Sequence, residues 1–305
     1  MASVTLRDGE KLHVTCVGKG RPVMLLHGFA SRGTHWLHNV LPYTRQFRFY
    51  LPDLRGFGNS HHANLDGLDV FATYANDIED VLNHFELDQV ILGGVSTGAY
   101  SCLTYNQLHG FSRVSKYLNI EHGPDSNHGD GQFSGIFREQ QAELFAIFED
   151  LLDLAQRSGP IAYWELPAEH RIQFRDTVVR VLSHALHKGF ARQVVMLAAR
   201  LAEPLLTRYF MPVEKWQTYL NVMQAFMNGR DTRAALAKIK VPTTLMIGRQ
   251  SQFFTVETQL EIAQYVPHAK VVIFEQAGHA VMVDQPIEFQ REFGKFLLSP
   301  ANLCA

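Results

Sequence analysis

A serine held between two glycines is the residue in this chain best placed to do chemistry. Residues 89–98 read Gln-Val-Ile-Leu-Gly-Gly-Val-Ser-Thr-Gly, so Ser96 stands two residues from Gly94 and two from Gly98. The apolar, β-branched run before it reads as a buried strand, and the proline-free residues 99–109 read as a helix. A serine on such a strand-to-helix turn has the spacing of a nucleophile elbow. The turn is too tight to admit a Cβ at either glycine, so the serine is forced into strained geometry with Oγ above the sheet. The helix that starts there turns its free N–H groups and its dipole toward any anion that develops. The N–H of Thr97 is one candidate oxyanion donor. The other is the N–H of Phe29, because His27-Gly28-Phe29 follows a second apolar strand, residues 22–26. Donors of this kind stabilise an oxyanion by roughly 2.7–4 kcal/mol each.

Other chemistry-bearing stretches point to less. Asp53-Leu54-Arg55-Gly56-Phe57-Gly58-Asn59-Ser60 is glycine-rich. It lacks both the spacing of a dinucleotide fingerprint and the lysine of a phosphate loop, so it reads as a scaffold loop with Arg55 in a structural ion pair. His122-Gly123-Pro124-Asp125-Ser126-Asn127-His128-Gly129-Asp130 mixes imidazoles and carboxylates. Its spacing matches no zinc or calcium pattern, and its glycines and proline suit a plain loop. No metal and no organic cofactor is expected. Cys16, Cys102 and Cys304 are few, odd in number and far apart. They fit a reducing compartment and no disulfide framework, with Cys102 a buried packing residue.

The elements that must position these residues alternate. Two short runs around Asp8-Gly9-Glu10 read as a hairpin, and residues 47–53, 114–120, 242–248 and 270–274 read as further strands. Residues 70–85, 255–265 and 287–298 read as helices, and Asp231 as the cap of a short one. Strands alternating with helices argue an α/β fold with a mostly parallel sheet and helices on both faces. Between residues 126 and 229 the strand pattern vanishes. Phe133, Ile136, Phe137, Leu144, Ile147, Phe148 and Leu151 recur at helical spacing, residues 194–210 are very apolar, and Trp216, Tyr219, Leu220, Met223, Phe226 and Met227 form another stripe. The expected organisation is therefore a core of residues 1–125 and 230–305 with a helical cap inserted at 126–229.

A chain of 305 residues can bury a large core. Its formal net charge of -2 makes no case for nucleic acid or an anionic membrane surface. No apolar run has membrane-spanning length. The first nine residues read as strand, not as the apolar core of a leader, and a cytoplasmic protein is expected.

Taken in order, the strand with His27-Gly28-Phe29, the loop of residues 53–60, Gly94-Val95-Ser96-Thr97-Gly98, the helical insertion and the late Gly278-His279 resemble the α/β-hydrolase superfamily over nearly the whole chain. That resemblance implies that Ser96 attacks a carbonyl, that His279 is the base, and that an acid orients the histidine. The superfamily's commonest acid follows the seventh strand in a Gly-x-x-Asp pattern. Here that stretch is Gly248-Arg249-Gln250-Ser251, with a serine in the aspartate's place. Branches such as haloalkane dehalogenases and cofactor-independent dioxygenases keep the acid after the sixth strand, where Glu121 stands. Glu121 is the first choice for the acid and Asp125 the second. Asp284 resembles a structural position, and Glu257 comes last. The implied reaction is cleavage of an ester or thioester with an apolar acyl or alcohol group, through an acyl-enzyme, on a small-molecule substrate. A serine nucleophile argues against dehalogenation and epoxide opening, which need an aspartate there. The alternatives are a cofactor-independent dioxygenase and a ligand-binding protein on a hydrolase fold. Oligomeric state is left open.

Overall fold

Period-two burial builds the centre of the molecule. In strand β3 (Arg21–Leu26), Val23 and Leu25 face one apolar cluster while Met24 and Leu26 face another. A strand buried on both faces belongs inside a sheet covered by helices. The computed structural model describes residues 2–127, 135–185 and 216–301, with residues 193, 197 and 201. The other strands are β1 (Ala2–Thr5), β2 (Lys11–Gly18), β4 (Phe47–Pro52), β5 (Val90–Val95), β6 (Val114–Ile120), β7 (Thr243–Gly248) and β8 (Lys270–Phe274). They form one eight-stranded sheet in the order β1-β2-β4-β3-β5-β6-β7-β8. The β1–β2 hairpin and the β2–β4 pair are antiparallel, and every pairing from β4 to β8 is parallel. The expected α/β architecture is thus the observed one.

Helices cover both faces. Helix α1 (Leu37–Val40) and the last helix pack on the cluster that holds Val23 and Leu25, through Val40, Phe289, Phe293 and Leu297. Helices α2 (Val70–His84) and α3 (Thr97–His109) cover the other face through Tyr74, Ile78, Tyr100 and Leu103. Between β6 and β7 stand α4 (Gln141–Ser158), α5 (Ala168–His184), α6 (Gln217–Asn228) and the single turn α7 (Arg233–Leu236). Leu144 and Phe148 of α4, Phe174 of α5, and Tyr219 and Phe226 of α6 share one apolar cluster. Helices α8 (Val256–Tyr265), α9 (Val281–Asp284) and α10 (Pro286–Leu298) complete the chain.

Two local expectations need correction. The helical spacing of Ile136 and Phe137 with Leu144 is not helix throughout. Phe137 has φ 67°, and its N–H donates to Phe253 O at 2.8 Å, so α4 begins only at Gln141. A tertiary hydrogen bond overrides the local pattern there. The cap of the short helix is Thr232, not Asp231. Thr232 makes no side-chain cap bond, and Asp231 Oδ1, one residue earlier, accepts the N–H of Arg233 at 2.9 Å. Phe133, His128, Asp130, Cys304 and most of residues 194–210 lie outside the described residues.

The scaffold loop reads as expected. Arg55 is buried and forms two parallel bonds of 2.8 Å to Asp77 of α2. Cys102 is fully buried, and Cys16 and Cys102 are free thiols.

Candidate active site

Phe29, Ser96, Thr97, Glu121 and His279 all follow the carboxyl ends of parallel strands, the edge where open α/β sheets hold their ligands. Ser96 follows β5 at φ 54°, ψ −119°, in the N-cap position of α3. A side chain in that region costs of order 1–3 kcal/mol and persists only when its surroundings impose it. They do so here. Ser96 N–H donates to Ile120 O at 2.9 Å, and Ser96 O accepts from Tyr100 N at 3.0 Å. A Cβ on Gly94 would run into the backbone of Gly98, and one on Gly98 would lie 2.6 Å from Leu26 O. The two glycines are a steric requirement of the turn.

After β3, His27 is buried. Its Nδ1 lies 2.8 Å from Gly28 O, and its Nε2 accepts the N–H of Leu54 at 2.9 Å. Burial pushes its pKa down to about 4. A neutral ring that donates at one nitrogen and accepts at the other ties the β3 loop to the β4 loop. Phe29 sits beyond it, edge-on to Phe57 and Tyr219 with centroids 5.8 and 5.2 Å away. The N–H of Phe29 meets no acceptor among the described residues. Thr97, fully buried, is the first residue of α3, where a backbone N–H has no intrahelical acceptor.

Glu121 follows β6 with φ 59° and is fully buried. Its Oε1 accepts the N–H of Gly248 at 2.5 Å and Gln259 Nε2 at 3.2 Å. Its Oε2 lies 2.9 Å from His279 Nδ1. The His279 ring stacks on Phe253, with centroids 4.1 Å apart and planes 16° from parallel. Asp284 takes the N–H of Gly278 at 2.8 Å, and Ala280 N–H reaches Ala185 O just past α5. With Nδ1 committed to Glu121, Nε2 is the nitrogen left for the cavity that His279 and Ser96 both line.

That cavity measures about 690 Å³. Its walls include Phe29 and Leu37 from the β3 side, Val181 and Ala185 from the α5 end, and Met223 and Phe226 of α6. Such a space suits a ligand with a substantial apolar part.

The second-choice acid is elsewhere. Asp125 Oδ1 accepts from the N–H groups of Ser126, Asn127 and Arg230, at 2.6, 3.2 and 3.2 Å, and Tyr100 Oη donates to it at 3.4 Å. Its side chain is only 13% exposed, so it fastens the β6 loop to the start of the β7 segment and is not a solvated loop carboxylate. Ser251 is buried, with Oγ accepting from Phe253 N at 3.3 Å. Glu257 is exposed in the first turn of α8. Among the described residues no group of three or more His, Cys, Asp and Glu side chains could hold a metal. No helix among them is long and apolar enough to cross a membrane.

Sequence reasoning missed Gln259, Phe253 and the Ser31–His38 segment that lines the cavity. Gln259 carries no local signal, since an interior helix position gives no hint of what it touches. His35 and His38 directly follow the His27-Gly28-Phe29 stretch and could have been noticed there.

A family model described as the alpha/beta hydrolase fold matches residues 21–286. The chain belongs to that family. Among curated members, it is 24% identical to AB hydrolase superfamily protein YisY of Bacillus subtilis, over 90% of each chain. It is 25% identical to the pimeloyl-[acyl-carrier protein] methyl ester esterase of Vibrio vulnificus, over 93% of this chain and 97% of that one. An esterase from Exiguobacterium antarcticum superposes with a TM-score of 0.75 at 23% identity, over 98% of this chain and 99% of that one. As an α/β hydrolase of esterase-like kind, the chain has the fold that its Ser96 turn requires.

Proposed function

We propose that this α/β hydrolase cleaves an ester or thioester of an apolar acyl or alcohol group, with Ser96 as nucleophile, His279 as general base and Glu121 as the acid. The observation that carries the reading is the 2.9 Å contact between His279 Nδ1 and Glu121 Oε2, behind a histidine that shares a cavity with Ser96. Ser96 Oγ adds to the carbonyl carbon while His279 Nε2 takes its proton. The oxyanion forms against the N–H groups of Phe29 and Thr97. Collapse expels the alcohol or thiol, which takes the proton back from His279. Water, deprotonated by His279, then adds to the acyl carbon, and collapse breaks the bond to Ser96 Oγ, which takes the proton back from His279 as the acid leaves. Glu121 holds the proton-bearing Nδ1 and stabilises the imidazolium in each half.

Residues 126–229 act as the cap over a core of residues 1–125 and 230–305. The apolar side chains that α5 and α6 send into the cavity support that division. The free thiols of Cys16 and Cys102 suit a reducing cytoplasmic setting.

Ser96→Ala tests the nucleophile, because alanine fits the same turn. Activity on aryl esters should fall by at least about a thousandfold, in line with loss of a triad member, and fluorophosphonate labelling should disappear. A variant keeping a tenth or so of wild-type turnover contradicts the serine mechanism. Chain length tests the cavity. From two to six acyl carbons kcat/KM should rise, since each buried methylene is worth about 0.8 kcal/mol. A flat or falling series contradicts an apolar acyl site.

A further inference from the structure

We infer that Gln259 is a positioning residue for the acid: its amide, with the N–H of Gly248, pins Oε1 of Glu121 so that Oε2 meets His279. This rests on the reading of Glu121 as the acid. Gln259 lies on α8, is 1% exposed, and donates Nε2 to Glu121 Oε1 at 3.2 Å. Its own Oε1 is buried with no hydrogen-bond partner among the described residues. A buried amide that leaves half its polar group unpaired is unfavourable, and a leucine there would avoid that cost. The compensating contact is the one to Glu121. The Gly248 N–H at 2.5 Å is a single point about which a carboxylate can turn. A second donor from another element removes that freedom. The opposite amide orientation would put Gln259 Oε1 against a carboxylate oxygen, so the donor assignment follows from charge.

Glu121, one residue past β6, has much freedom for a second donor to remove. Glu121 has three side-chain torsions and a left-handed backbone with φ 59°. Two donors converging on one oxygen, from β7 and α8, fix the carboxylate plane. Orientation of this kind affects turnover and leaves substrate binding alone, because Gln259 does not line the cavity.

The test uses two variants of the full chain, with Glu121→Gln as the reference. Gln259→Leu removes the donor. Its kcat should fall about ten- to a hundredfold, the range typical for outer partners of a site, with KM within about threefold of wild type. Gln259→Glu keeps the shape. When protonated it donates to Glu121 as the amide does, and when ionised it repels Glu121. Its kcat should approach wild type at the acid end of the profile and fall as pH rises, over a range where wild type stays level. A packing role would produce no such descending limb. If both variants keep wild-type kcat and pH profile while Glu121→Gln is crippled, the inference is wrong and the acid assignment stands. If Glu121→Gln is itself mild, the acid assignment fails and this inference with it.

Discussion

Strands β6 and β7 lie side by side, and their carboxyl ends do opposite work. The β6 end supplies a carboxylate, Glu121. The β7 end supplies a hydrogen-bond donor to it, the N–H of Gly248, and then a neutral Ser251 that caps its own turn. Neighbouring strands are about 4.8 Å apart, so a carboxylate from either end can reach one imidazole. The comparison teaches that adjacent strand ends can divide one task, β6 bringing the carboxylate to the histidine's Nδ1 and β7 holding that carboxylate in place. The same lesson holds within the β6 end. Glu121 and Asp125 are four residues apart, yet one carboxylate meets His279 and the other collects backbone N–H groups.

The largest effect should come from the charge itself. Glu121 accepts at both oxygens, whereas a glutamine offers one oxygen and must turn a donor toward either Gly248 or His279. Glu121→Gln should lower kcat on a simple ester by about a hundred- to ten-thousandfold, the upper end being that of a triad aspartate-to-asparagine change. Loss below about tenfold would place the acid elsewhere. Next in size is a rescue. Ser251→Asp in the Glu121→Gln background returns a carboxylate from β7, and kcat should recover by about tenfold or more, worth about 1.4 kcal/mol. No recovery would mean that the β7 end cannot reach the imidazole.

Asp125→Asn should cut kcat by less than about tenfold while lowering stability by about 1–3 kcal/mol, since it weakens charged hydrogen bonds that close a loop. Thermal melting beside turnover separates the two. A separate prediction, on stability and not on turnover, concerns the buried histidines. Burial holds His27 down to about 4 and His122 down to about 3, against 6.5 for an unfolded chain. Below pH 6.5 the unfolded state therefore binds more protons than the fold, and stability falls with pH until the folded values are reached. Each histidine contributes a slope of up to about 1.4 kcal/mol per pH unit in that window. Denaturant midpoints from pH 7 down to 4.5 should fall continuously. Midpoints that rise on acidification would contradict this.

Much of the architecture was legible because it is written locally. The β5 run, the two glycines and the proline-free α3 specify the Ser96 turn within about twenty residues, and the observed φ of 54° is what that pattern demands. Glu121 was legible by another route, the resemblance to a family whose usual aspartate is replaced here by Ser251. What was not legible is long-range. Glu121 and Gln259 are 138 residues apart, and nothing in either segment announces their contact. Asp125 lies in a stretch that reads as a plain loop until Arg230 and Tyr100 are folded against it. Phe137 looks helical until Phe253 O takes its N–H.

If Glu121 is the acid, His279 Nδ1–H donates to Glu121 Oε2, and proton NMR of the imidazole N–H reads that bond directly. Wild type should show a low-field resonance that is lost in His279→Ala, lost or strongly moved in Glu121→Gln, and unchanged in Asp125→Asn. A resonance that survives Glu121→Gln and vanishes in Asp125→Asn would contradict the account.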